Sequence, residues 1–157
     1  MSQPRYPLRF NVGFLLNKPI GTYRDIHFEY PEINLSEDLV IQEFTGAARV
    51  SRTPQGLLVQ GEFSGKTGEE CVRCLENFLQ PLTTSFSELY AFNYRSVSES
   101  GLILPEDANI DLGPLVREYL LIELPISPIC RPDCKGLCPV CGEDLNQVTC
   151  EHVAHSV

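Results

Sequence analysis

Apolar and polar residues alternate along much of the first 95 residues, which is the pattern of β-strands with one buried face. The alternation is clearest over residues 8–16 and around Phe28, and a longer one covers residues 78–94. Between them, residues 39–52 and 57–63 supply more strand material, and the turn-forming run Thr53-Pro-Gln-Gly56 joins these two segments as a hairpin. The pattern therefore predicts an antiparallel meander.

Three polar or glycine-rich segments interrupt the alternation and are predicted to lie outside the strands. Residues 31–38 are polar and turn-rich, and Ser64-Gly-Lys-Thr-Gly68 is a turn-prone link. Residues 95–101 are rich in Ser and lack periodicity, so we expect a surface loop there.

One segment has helical periodicity, and we predict a helix from about 111 to 124, with Asp111 capping its first turn. Leu121, Ile122 and Leu124 add apolar surface on a second flank, so the helix is expected to be buried on most sides. The predicted fold is α+β: an antiparallel sheet or partly closed barrel, one packed helix and a C-terminal zinc-binding tail. We expect residues 1–128 to form the core domain and 129–157 to form the tail.

The densest chemistry lies in the tail, where four cysteines fall within twelve residues and one pair reads Cys-Pro-Val-Cys-Gly. A two-residue spacer lets two thiolates reach one Zn²⁺, and structural zinc takes four such ligands. We predict one zinc ion, with Cys150 or His152 as a substitute if the first pair is misplaced. The predicted ligands are Cys130, Cys134, Cys138 and Cys141.

Disulfides and unliganded core cysteines are the alternatives to a metal site. The seven cysteines are an odd number, and residues 1–18 contain no continuous apolar segment of the kind found in signal peptides. No apolar run approaches the ~20 residues that span a bilayer. A reducing cytoplasm is therefore the expected location, and reduced thiols are expected there.

A second cysteine pair, Cys71-Val-Arg-Cys74, lies between two strand-like segments. Residues three apart in a flat strand point to opposite faces, so two sulfurs could meet one metal only if the chain turns there. The absence of a Gly after Cys74 weakens the metal interpretation, and a packed pair, metal ligation and redox chemistry all stay open. Arg73 could form a salt bridge with a nearby Glu or contact a partner, which makes Cys71, Arg73 and Cys74 candidate partner-binding residues.

The net charge of −9 restricts the choice of partner. A Zn(Cys)₄ site would add four thiolates and one divalent ion, giving −9 − 4 + 2 = −11. Nucleic-acid binding requires clustered Lys and Arg, whereas the 12 basic residues here are scattered. A basic protein is therefore a more suitable first contact than RNA.

The run from Cys134 to Asn146, preceded by Cys71-Val-Arg-Cys74, resembles the YceD family of bacterial and plastid proteins. The resemblance implies a role in accumulation of large-subunit (23S) ribosomal RNA and hence in ribosome biogenesis. Together with the net negative charge, such a role predicts a basic ribosomal protein or an assembly factor as the partner. Members of the family often end this segment with Cys-x-Cys, whereas this chain has Cys150-Glu-His152.

Catalysis is not predicted, because no catalytic triad can be placed and four-cysteine zinc sites leave no open position for water. Two alternative functions belong to other classes. A thiol oxidoreductase would use Cys71 and Cys74 as its redox pair, and a zinc storage or donor protein would hold its ion loosely.

Overall fold

The structure, a computed structural model, describes residues 6–150 of the chain. Strands dominate this part of the molecule, and a short helix follows them. The elements in chain order are β1 (Arg9–Asn11), β2 (Tyr23–Ser36), β3 (Leu39–Arg52), β4 (Gly56–Glu70), β5 (Asn77–Ala91), β6 (Asn109–Asp111) and α1 (Gly113–Glu123), with 3₁₀ turns at Gly13–Leu15 and Tyr94–Ser96.

The four long strands form one antiparallel sheet in the order β2-β3-β4-β5, so consecutive strands are neighbours throughout. This confirms the predicted antiparallel sheet. β2 and β5 are its two edges and do not pair with each other within residues 6–150, so the described sheet does not close into a barrel. The short strands β1 and β6 pair separately and bring the N-terminal segment beside the start of α1.

The predicted helix is present, and it packs against β5 and β2. Asp111 accepts a hydrogen bond from the amide of Gly113 at 2.9 Å, and Pro114 occupies the first turn, where a missing N–H costs nothing. Leu112, Val116 and Leu120 are buried. The expectation of burial on most sides was wrong, because a single sheet covers only one face of α1 and leaves Ile122 75% exposed.

A row of aromatic rings fills the space between the sheet and the helix. Phe63 lies at its centre, with ring centroids 6.0 Å from Phe28, 5.6 Å from Phe44 and 5.9 Å from Phe86. Phe86 stacks in turn on Tyr119 of α1 at 4.9 Å. Because these rings come from every long strand and from the helix, they join the whole sheet to α1.

Three of the predicted strand boundaries were wrong. Residues 8–16 form only the three-residue β1, because the side-chain oxygen of Asn11 accepts the amide of Gly13 and starts a 3₁₀ turn. β2 continues to Ser36 despite Pro31, which an edge strand tolerates. β4 likewise runs through the glycine-rich residues 64–68 that were expected to turn.

The main hydrophobic core contains no residue beyond Leu124 within the described chain. A second, smaller cluster lies at the end of the sheet where β4 meets β5, and it includes Cys71, Cys74 and Cys134 with Ile129 and Leu137. The C-terminal segment thus packs on the sheet through its own small cluster.

The longest described helix, α1, has eleven residues, and no described helix could cross a membrane.

Candidate metal centre

Cys71 and Cys74 lie in the turn between β4 and β5. The strand ladder ends at the pair Glu70 and Asn77, and the six residues between them form a tight loop. The amide of Cys71 donates to the carbonyl oxygen of Glu76 at 2.9 Å, and the amide of Leu75 donates to the carbonyl oxygen of Cys71 at 2.9 Å. The chain therefore turns where the sequence left this open, and both sulfurs can face one point.

The segment after α1 returns to this turn and is held there by the backbone. The amide of Val72 donates to the carbonyl oxygen of Pro128 at 2.9 Å, and the amide of Leu137 donates to that of Arg73 at 3.1 Å. The Arg73 guanidinium donates to the carbonyl oxygen of Cys134 at 3.0 Å. Arg73 therefore connects the β4–β5 turn to the tail. The sequence suggests a salt bridge with a Glu or a contact to a partner for this residue, and neither includes this role.

These contacts bring four sulfurs together, from Cys71, Cys74, Cys130 and Cys134, all within 4.8 Å of one another. Cys71 Sγ is 3.7 Å from Cys134 Sγ, and Cys74 Sγ is 3.7 Å from Cys130 Sγ. Tetrahedral zinc with Zn–S bonds of about 2.3 Å has sulfurs about 3.8 Å apart. The four thiols therefore have the spacing and the chemistry of a closed structural metal site.

The predicted ligand set is divided between two places in the structure. Cys130 and Cys134 join Cys71 and Cys74, whereas Cys138 and Cys141 form a separate group with Cys150. The sulfurs of that second group also lie within 4.8 Å of one another. His152 lies outside the described residues. Ligation of a metal by any of these residues stays a prediction.

The electrostatics of the four-sulfur group favour a bound cation. Burial raises the pKa of Cys71, but the backbone amides of Cys74, Cys130 and Arg73 outweigh it and bring that pKa down to about 6. Burial raises the pKa of Cys130 to about 12, and the thiols of Cys134 and Cys74 add to the effect. Four thiols packed so closely can all ionise only if a cation balances their charge.

One residue that supports the site was missed by the sequence analysis. The side-chain amide of Asn146 donates to Cys134 Sγ at 3.3 Å, and its oxygen accepts the amide of Lys135 at 2.8 Å. Hydrogen bonds of this kind orient thiolate ligands and stabilise their charge. A signal was available, because Asn146 is the only Asn in the cysteine-rich tail and follows Gly-Glu-Asp-Leu directly.

Leu75 explains how the first turn forms without glycine. Its backbone has φ +63°, the left-handed region that favours Gly, and its side chain is 56% exposed. The inference that a missing Gly argues against a metal-binding turn was therefore unsound, since Leu75 adopts the conformation that Gly142 adopts in the Cys-Pro-Val-Cys-Gly turn.

We expect Leu75→Gly to be more stable than the matched variant Val72→Gly by about 1 kcal/mol, because only the former relieves a left-handed backbone. Val72 lies in the same turn, is 53% exposed and does not have a positive φ. The free energy of unfolding from urea titrations of both variants measures this. Equal destabilisation would show that Leu75 carries no backbone strain.

Comparison with known proteins decides the family. The family described as "Large ribosomal RNA subunit accumulation protein YceD" matches residues 59–157, which include both cysteine turns, β5 and α1. The chain belongs to the YceD family. The resemblance inferred from the cysteine motifs is thereby confirmed, and the matched YceD region begins inside β4, so β1 to β3 precede it.

Individual relatives support the same grouping. "Uncharacterized protein Rv2926c" of Mycobacterium tuberculosis is 37% identical over 103 residues, covering 62% of this chain and 49% of the relative. "Uncharacterized protein YlbN" of Bacillus subtilis is 29% identical over 96 residues, covering 60% and 56%. "Large ribosomal RNA subunit accumulation protein YCED homolog 1, chloroplastic" of Zea mays is 40% identical over 40 residues, covering 26% and 14%.

This YceD chain spans about half the length of the first curated relatives that it matches. No solved structure is similar to it at a significant level. The comparisons therefore establish the family, and the geometry above describes how this member arranges its cysteines.

Proposed function

We propose that this protein is a non-enzymatic, cytoplasmic ribosome-biogenesis factor that supports accumulation of large-subunit (23S) ribosomal RNA. The observation that carries the proposal is the family match over residues 59–157, together with plant relatives named for that role. It acts through contact with a basic ribosomal protein or an assembly factor.

Zinc has a structural role in this proposal. The Cys71, Cys74, Cys130 and Cys134 thiols suit a closed four-sulfur Zn²⁺ site, which leaves no position for a reacting water. Bound there, the ion would cross-link the β4–β5 turn to the tail, whose described residues otherwise contact the turn through a small apolar cluster and a few hydrogen bonds. The sulfurs of Cys71, Cys74 and Cys134 are buried, which suits a structural role better than exchange with an external disulfide.

The end of the sheet that carries the cysteines is the proposed contact surface, which we call the metal end and define as residues 69–76 and 130–146. It contains six acidic and three basic side chains, before any thiolate charge is added. It also exposes apolar side chains, with Val72 at 53%, Leu75 at 56% and Val140 at 69%. Apolar anchors surrounded by negative charge suit a partner that presents apolar groups among Lys and Arg.

The cellular role can be tested by depleting the protein and measuring the ratio of large- to small-subunit ribosomal RNA. We expect the ratio to fall, and we expect re-expression of the wild-type chain to restore it. An unchanged ratio in depleted cells would overturn the proposed function.

The contact surface can be tested by charge reversal. Glu70→Lys with Glu76→Lys changes the metal end, where both side chains are exposed. Glu99→Lys with Glu106→Lys makes the same charge change toward the other end of β5, where Glu99 borders the same surface hollow as Ser87, roughly 35 Å from the metal end along the strand. With purified basic large-subunit proteins at 0.1 M salt, we expect the first variant to bind about tenfold more weakly and the second to bind almost normally.

Two results would contradict this partner assignment. One is equal binding by the two charge-reversal variants, which would place the contact elsewhere. The other is tight binding to isolated ribosomal RNA with a steep salt dependence and no protein partner, because that behaviour requires direct phosphate contacts.

A further inference from the structure

The segment Cys138–Gly142 repeats the backbone of the first cysteine turn. The amide of Cys138 donates to the carbonyl oxygen of Glu143 at 2.8 Å, as Cys71 does to Glu76 at 2.9 Å. The amide of Gly142 donates to the carbonyl oxygen of Cys138 at 2.9 Å, as Leu75 does to Cys71 at 2.9 Å. The fifth residue of each turn has a positive φ, which is +78° for Gly142 and +63° for Leu75.

The amides of the two turns also point at their sulfurs in the same way. The amides of Cys141 and Val140 donate to the first sulfur of the second turn, that of Cys138. Arg73 and Cys74 make the corresponding contacts to Cys71. The amide of Glu143 faces Cys141, as that of Glu76 faces Cys74. Amides aimed at sulfur stabilise thiolates, the form that binds metals.

The second turn has its own third sulfur. Cys150 returns to the turn, and the sulfurs of Cys138, Cys141 and Cys150 lie within 4.8 Å of one another. Cys130 and Cys134, the tail cysteines that could have completed this group, are already occupied in the four-sulfur group with Cys71 and Cys74. The two turns therefore each have separate partners.

We propose that Cys138, Cys141 and Cys150 hold a second Zn²⁺, so that each chain binds two zinc ions in two separate turns of the same design. Three thiolates leave one position of a tetrahedral ion, which is filled by a donor from outside this triad. Cys141 is exposed, so this second site lies at the surface, unlike the first. The proposal concerns metal content and does not depend on the cellular role.

The zinc content of each variant distinguishes two sites from one. The full chain is reduced, stripped with a chelator, titrated with Zn²⁺ and analysed for bound metal per chain. We expect two ions in the wild type, one in Cys138→Ser with Cys141→Ser, and one in Cys71→Ser with Cys74→Ser. Val140→Ser and Val72→Ser change an exposed residue of each turn without removing a sulfur, and both should retain two ions.

A single ion in the wild type overturns the proposal. If Cys138→Ser with Cys141→Ser then removed that ion while Cys71→Ser with Cys74→Ser did not, its ligands would be the set predicted from spacing, Cys130, Cys134, Cys138 and Cys141. Amide exchange of the β4 residues is measured for each variant, because retained protection there shows that a lost ion reflects a lost ligand and not an unfolded sheet.

Discussion

Removing zinc from the full chain is expected to release residues 129–150 from the sheet while the main core stays folded. The core includes no residue beyond Leu124 among those described, so its apolar contacts do not depend on the tail. Residues 129–150, the described part of the tail, have only a small cluster and a few hydrogen bonds at the β4–β5 turn. Structural zinc contributes on the order of 10 kcal/mol of apparent binding free energy, which would dominate the docking of this segment.

Hydrogen exchange with and without chelator measures this directly. The amide of Leu137, bonded to the carbonyl oxygen of Arg73, should lose protection by on the order of a hundredfold, whereas amides in the centre of β4 should keep theirs. Trypsin should then cut after Lys135, which is exposed and is followed by Gly136. Cys71→Ser with Cys74→Ser should reproduce the effect without chelator, and Val72→Ser should not.

Loss of the cooperative thermal transition together with the metal would contradict this prediction. It would mean that the division into a core of residues 1–128 and a tail of 129–157 does not describe how the protein folds. That division remains our proposal, and it is supported by the separation of the two hydrophobic clusters.

The strands and the helix could be predicted where burial of one face gives a periodic pattern of apolar residues in the sequence. The glycine-rich run at 64–68 misled the prediction because it was interpreted as a turn, whereas Gly65 is small for a packing reason. A Cβ on Gly65 would lie 2.2 Å from the Cγ2 of Ile41 on the neighbouring strand. The sequence shows that a glycine is present at position 65. Only the pairing of β3 with β4 shows that its missing side chain leaves space for Ile41.

The cysteine chemistry was predictable, but the grouping of the cysteines was not. Spacing favours neighbours in the chain, and it therefore placed Cys130 and Cys134 with Cys138 and Cys141. The structure pairs Cys134 with Cys71, 63 residues away, because the hairpin turn and the segment after α1 meet at the same end of the sheet. That meeting depends on sheet topology and on where α1 ends, which local spacing does not contain.

Removing the central ring of the aromatic row, Phe63, is also expected to have a large effect on stability. Phe63 is 1% exposed and contacts rings from β2, β3 and β5, so Phe63→Ala leaves a cavity that three neighbouring strands border. We expect the free energy of unfolding to fall by about 4 kcal/mol, a large part of the 5–15 kcal/mol typical of a domain. Phe14→Ala removes a ring that is 39% exposed and serves as the matched control, with a much smaller loss.

Gly46 allows a more specific test of this packing, because it lies opposite Phe63 in the β3–β4 pair. A Cβ on Gly46 would lie 2.2 Å from Cδ1 of the Phe63 ring, so Gly46→Ala alone should be strongly destabilising. In the Phe63→Ala background that ring is gone, although the Glu62 carbonyl oxygen at 2.7 Å remains. We therefore expect the cost of Gly46→Ala to fall by about 1–2 kcal/mol in a double-mutant cycle measured by urea unfolding. Strictly additive effects of the two substitutions would show that the Phe63 ring does not pack over Gly46. As a control, all four proteins should bind the same amount of zinc, because the metal end lies outside this core.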